Sequence, residues 1–238
     1  MRTIRLRWEM LVSGFVFISL AFSAVYVTVM FIVSPSKSPT FAARNKSDYI
    51  LMLVQCIAGI IAMLLPRLFQ YKINIIIPSG MLILYALFLY GGIYLGEVRS
   101  FFYTIPYWDN ILHFFSGGML SILGFSFVVL LNKTDRIPVN LSPEFIYVFT
   151  FCFAVALGVL WEIYEFSLDG LLGLNMQKFA LESGVKLSGR AALSDTMLDL
   201  IIDCISAFAI STLGYVSLKR QKRWMDKLMV KRRKNRRF

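Results

Sequence analysis

Six stretches of this chain stay apolar for close to the length a helix needs to cross a bilayer, about 20 residues. They lie at about residues 10–33, 49–66, 73–96, 108–131, 146–169 and 195–218. Hydrocarbon offers backbone N–H and C=O groups no partner, so only helices and closed barrels can span it. A barrel would alternate apolar and polar residues along each strand, and these stretches do not. The sequence therefore predicts an all-α, polytopic membrane protein with about six transmembrane helices. The composition agrees, with 58% hydrophobic and 15% aromatic residues. Residues 1–218 read as one six-helix domain and 219–238 as a basic tail. The second stretch is expected to end at Pro66-Arg67. The third contains Pro78-Ser79-Gly80, where a helix kinks or begins. The first follows Arg2, Arg5 and Arg7 but exceeds the roughly 7–15 apolar residues of a signal peptide, so it reads as a retained helix.

The acidic residues are unevenly placed. Of the 14 in the chain, seven lie with its one histidine in three short segments, each at an end of an apolar stretch. These are Trp108-Asp109-Asn110-Ile111-Leu112-His113, the run from Trp161 to Asp169 that holds Glu162 and Glu165, and the run from Asp195 to Asp203 that holds Asp199. Ionisable groups within membrane spans are rare and mark a function by default. Residues three or four apart share a helix face. Asp109 and His113 make one stripe, Glu162, Glu165 and Asp169 a second, and Asp195, Asp199 and Asp203 a third. At about 1.5 Å per residue, Asp203 lies about 12 Å deeper than Asp195. Facing one another, the stripes would form a funnel of carboxylates.

So many carboxylates in a low-dielectric site must hold protons or be neutralised by a cation. One imidazole with carboxylates suits Zn, Mn or Fe, whereas an almost all-oxygen set suits Mg or Ca. With a single histidine, the harder cations are favoured over zinc. The candidate metal ligands are Asp109, His113, Glu162, Glu165, Asp195, Asp199 and Asp203. Bland readings compete for some of them. Asp109 and Asp195 are expected at helix N-termini, where carboxylates cap free N–H groups. Asp169 can lie in water beyond its helix. Glu162 and Glu165 sit toward a helix C-terminus, where the dipole opposes them, and Asp199 and Asp203 are enclosed by Leu198, Leu200, Ile201 and Ile202, so these four and His113 carry the stronger functional expectation. His113 can also serve only as a hydrogen-bond partner of Asp109. Trp108, Trp161, Tyr107 and Tyr164 read as interfacial anchors. Gly117, Ser121, Gly124 and Gly158 permit close helix packing. Cys56, Cys152 and Cys204 fall inside spans and read as small buried hydrophobes.

Residues 219–238 hold 11 Lys or Arg and one Asp. With an even number of spans both termini share a side, and that side collects 18 basic residues against 7 on the other. Basic residues favour the cytoplasm, so both termini are expected there, in an inner membrane. All three acidic segments then open on the outer face, joined in part by a loop at 170–194 that could cover them. Trp224, Met225, Leu228 and Met229 share a face of the tail, which suggests anionic lipid as its partner rather than nucleic acid.

The three segments together resemble the YjdF-like family of bacterial inner-membrane proteins and, more distantly, VanZ-type proteins, which are associated with glycopeptide resistance and the cell envelope. The VanZ-like elements are Asp109 with His113, Glu162 with Glu165, and Gly189-Arg190 leading to Asp195 and Asp199. Glu165 and Asp199 replace the Gln and Asn of the VanZ-like pattern, which favours the YjdF-like assignment. The resemblance covers about residues 50–218 and implies a multi-helix membrane protein whose activity is unsettled. It adds Arg190 to His113, Glu162 and Glu165 as candidate reactive residues, in the role of pairing with the carboxylates or with an anionic head group. Three functions stay open: a cation site that processes or carries an envelope lipid, a proton- or cation-coupled carrier, and a non-catalytic envelope factor.

Overall fold

The computed structural model describes residues 2–34, 46–132, 141–181, 185–220 and 229–232. Its order is α1 Arg2–Val33, α2 Lys46–Lys72, β1 Ile75–Ile76, α3 Ser79–Leu89 continuing as a π-helix over Tyr90–Val98, α4 Phe101–Thr104, α5 Trp108–Asn132, α6 Pro143–Leu172, α7 Arg190–Lys219 and β2 Lys231–Arg232. Six units are long and apolar enough to cross a membrane: those of α1, α2, α3 with its π extension, α5, α6 and α7. Their outward faces carry exposed side chains such as Phe22, Ile61, Phe127 and Phe166, as lipid contact requires.

Helix ends depart from the expected boundaries for local reasons. α2 does not stop at Pro66 but runs to Lys72. A proline removes the bond to the carbonyl four residues back, here that of Ala62. The hydroxyl of Tyr85 donates to that carbonyl at 3.1 Å and so replaces the lost bond. α3 begins after Pro78, so the third span starts at Ser79 rather than 73. α6 begins earlier than expected because Ser142 accepts a bond from the Phe145 N–H and Pro143 occupies the first turn. It ends at Gly173, whose positive φ of 64° suits glycine. α7 begins at Arg190, five residues before the expected 195, so the connecting loop is shorter than 170–194. Asp195 therefore lies in the second turn and does not cap the helix.

α1, α2 and α3 pack together around Val16, Leu20 and Ala86. α5, α6 and α7 form a second three-helix group. Small residues bring the second group close. A side chain at Gly158 of α6 would overlap the Asp203 carboxylate of α7, and one at Gly117 of α5 would meet the Asp203 carbonyl at 3.2 Å. Trp108, read as a lipid anchor, instead donates its indole N–H to Gly91 O at 3.1 Å and ties α5 to the third span. Tyr107, Trp161 and Tyr164 are exposed. Of the cysteines only Cys56 is buried.

Both faces carry further ties. On the side where α6 ends and α7 begins, Leu174 and Met176 pack on Leu51 of α2. The Lys178 ammonium reaches Glu97 Oε1 at 3.1 Å and lies over the rings of Phe102 and Tyr103. On the opposite side, Met229 packs on Phe125, Val128 and Ile146, and the Val230 N–H donates to Ser126 Oγ at 3.1 Å. β2 then pairs antiparallel with β1. Met229, expected on a lipid-binding face, is buried in the protein instead. Trp224, Met225 and Leu228 lie outside the described residues.

Burial alone would lower the Lys178 pKa, but the Glu97 carboxylate overrides it and holds the ammonium above its ordinary 10.5. The stability this pair contributes is then fully present below the unfolded value and lost only as pH rises through the higher folded one. Melting measured in detergent should show no loss from this pair through neutral pH. Glu97→Gln strands a buried ammonium and should cost about 3–5 kcal/mol; an unchanged melting temperature would show the pair is dispensable. Gly158→Ala should cost about 1–3 kcal/mol, because the Asp203 carboxylate has no room to yield. Gly14→Ala, with open space around it, should leave stability within error. Equal melting of the two variants would contradict the close packing at Asp203.

Candidate functional site

His113 stands at the centre of the second helix group. It lies one turn into α5 from Asp109 and is 6% exposed. Its Nε2 lies 3.9 Å from Asp109 Oδ1, 3.7 Å from Glu162 Oε1 and 3.9 Å from Asp199 Oδ2. Its Nδ1 lies 3.3 Å from Asp203 Oδ2. A carboxylate only accepts, so that contact places an imidazole hydrogen on Nδ1; Nε2 faces Glu162, Asp199 and Asp109, as a proton donor when the ring is charged and as a lone pair when it is neutral. Asp203 is wedged between Gly117 and Gly158, and its other oxygen is 3.5 Å from the Ser116 hydroxyl. Asp199 is fixed as well, since Asn110 donates to its Oδ1 at 3.0 Å. Asp199 and Asp203 are each 2% exposed and Glu162 is 4% exposed.

Glu162 differs from its neighbours. Both of its carboxylate oxygens are buried and accept no hydrogen bond among the described residues, with the bonded pair Gln177 and Thr196 nearby. A buried carboxylate with no hydrogen-bond donor is expensive unless a proton or a cation satisfies it. Among the described residues, two groups have donor atoms close enough to share an ion: His113, Glu162 and Asp199, and separately Asp109, Asp195 and Asp199, each set within 4.8 Å.

The remaining expected residues sit apart from this centre. Glu165, half-buried, belongs to neither group and is not within ion-pair range of His113. Asp169 is neither in the cluster nor in water. It is buried in the last turn of α6, where its two oxygens accept the Met176 and Gln177 N–H groups at 2.7 and 3.0 Å and so shape the loop. Arg190, the first residue of α7, is exposed and makes no ion pair among the described residues.

Several participants escaped the sequence reading. Asn110 and Ser116 each sit three residues from His113 on α5, so the same helical spacing that selected Asp109 could have found them. The Gln177 side chain donates to Thr196 Oγ1 at 2.8 Å and holds the loop onto α7. The pairing of Glu97 with Lys178 joins residues 81 apart and left no local signal.

A family model described as "Predicted membrane protein (DUF2238)" matches residues 17–220. A protein of Thermotoga maritima, described only as uncharacterised, is 33% identical over 125 residues, covering 51% of this chain and 54% of that relative. The chain thus spans about half the length of the curated relative it matches. No solved structure matches. The YjdF-like resemblance of the three acidic segments is consistent with the family match. With residues 17–220 covered, the chain belongs to the DUF2238 family of predicted membrane proteins.

Proposed function

We propose that the protein binds a divalent cation at the outer end of the helix group formed by α5, α6 and α7, and uses it to engage an envelope lipid or its head group. The observation that carries this reading is Glu162, buried with two oxygens that no hydrogen bond from the described residues satisfies, 3.7 Å from Nε2 of His113. His113 Nε2, Glu162 and Asp199 are the ligands, with Asp109 and Asp195 beside them. Asp203 takes a different part. It orients the imidazole, as carboxylates behind metal-bound histidines do. Any of Mg, Mn, Ca or Zn is compatible with carboxylate donors, and an imidazole ligand favours Mn or Zn more than composition alone suggests.

A cation polarises a carbonyl or phosphoryl oxygen and can supply a bound water as nucleophile. The floor of the site supports a closed centre of this kind, since Asp203 is clasped between Gly117 and Gly158. The VanZ-like elements of the sequence point to the cell envelope in the same way. A carrier has one observation in its favour: Thr150 and Ser211, farther inward, are fully buried hydroxyls without hydrogen-bond partners. Basic-residue asymmetry supports an inner-membrane protein with both termini in the cytoplasm. The basic residues of the tail remain suited to anionic lipid of that leaflet.

Elemental analysis of protein purified in detergent should find a divalent metal near one or more per chain, and Glu162→Gln should lose it. Equal metal content in both would end this reading. Asp203→Asn should keep the metal but weaken it by about 10–100-fold, the usual cost of losing such an orienting partner. Abolished binding would instead make Asp203 a ligand. For topology, Arg190→Cys should react with an impermeant thiol reagent added outside intact cells. Labelling only after permeabilisation would invert the assignment.

A further inference from the structure

The two donor groups meet at one residue. Asp199 belongs both to the set with His113 and Glu162 and to the set with Asp109 and Asp195. A carboxylate has two oxygens and about four lone-pair directions, enough to serve two ions at once. Asp199 is held for that purpose on both sides: Oδ1 accepts the Asn110 amide at 3.0 Å, and Oδ2 lies 3.9 Å from His113 Nε2. Acidic residues gather in many proteins without an ion. Here Glu162 supplies the separate indication, because its buried oxygens face the cluster with no hydrogen-bond donor.

Charge suggests the number of ions. The carboxylates of Asp109, Glu162, Asp199 and Asp203 surround a single imidazole, and that of Asp195 lies beside Asp109 and Asp199. The nearby ammonium of Lys178 is already engaged by Glu97. With all five ionised, one divalent cation offsets two of the five charges, whereas two offset four. In a low-dielectric interior the difference matters, since uncompensated buried charge is expensive.

We propose that the cluster holds two divalent cations that share the Asp199 carboxylate. The inference rests on the reading of the cluster as a cation site and extends it. The position beside His113 takes an ion that accepts nitrogen, such as Mn or Zn. The position between Asp109 and Asp195 takes one that prefers oxygen, such as Mn or Mg. Such a pair would favour an oxyanion over a neutral ligand, which makes a phosphate-bearing head group the fitting ligand class.

The test uses the full chain in detergent, stripped by chelator and dialysed against Mn2+. At saturation it should bind two Mn2+ per chain and give an exchange-coupled paramagnetic resonance spectrum. Asp195→Asn should bind one and give the six-line spectrum of an isolated ion. Asp109→Asn should behave alike and guards against a folding defect in the first variant. A single Mn2+ in the wild type, two ions without coupling, or a coupled pair surviving in both variants would overturn the proposal. Binding of one ion that is lost in Glu162→Gln would leave the simpler cation site standing. No binding at all would overturn both.

Discussion

Everything about the second helix group depends on the cost of holding carboxylates away from water. Asp199, Asp203 and Glu162 are buried almost completely around one imidazole. Two of the three have fixed partners. Asp203 faces the imidazole N–H and Asp199 accepts from Asn110. Glu162 has only the other face of the ring, at a distance too long for a hydrogen bond. With the other two of these buried acids satisfied, Glu162 is poised to take a positive charge.

Glycine makes that geometry possible. Between apolar helices in lipid no hydrophobic force draws the surfaces together, so closeness must come from small residues and polar contacts. Gly117 and Gly158 let α5 and α6 approach α7 until the Asp203 carboxylate fits between their backbones. Ser206 adds a hydroxyl bond to the Phe114 carbonyl at the same level. The clasp that packs the helices is therefore also the floor of the site.

The two helix groups are tied at both ends by segments that carry charge or backbone bonds rather than bulk. On one face Asp169 folds the loop after α6, and Lys178 carries it across to Glu97 of the third span. On the other, residues 229–232 bridge from the core at Phe125 and Ile146 to the strand after α2. Neither tie follows from a local pattern. Each joins residues whose only common property is where the helices bring them.

Sequence alone determined the number of spans and the three acidic stripes, because lipid permits few backbone structures and helical spacing puts Asp109 with His113 and Asp199 with Asp203 on single faces. It also brought forward glycines at 117 and 158. It misjudged Pro66, since a proline ends a helix only when its freed carbonyl lacks a donor, and Tyr85 arrives from another helix. It could not rank the acids. Glu165 looked equal to Glu162 by spacing, yet it lies beyond ion-pair range of His113; Asp169, expected in water, builds a loop, and Arg190, brought in by the resemblance, lies exposed. Which carboxylates face a common centre depends on the rotation and depth of each helix against its neighbours. Those are set by side-chain packing across the interfaces, and only the tertiary structure decided them.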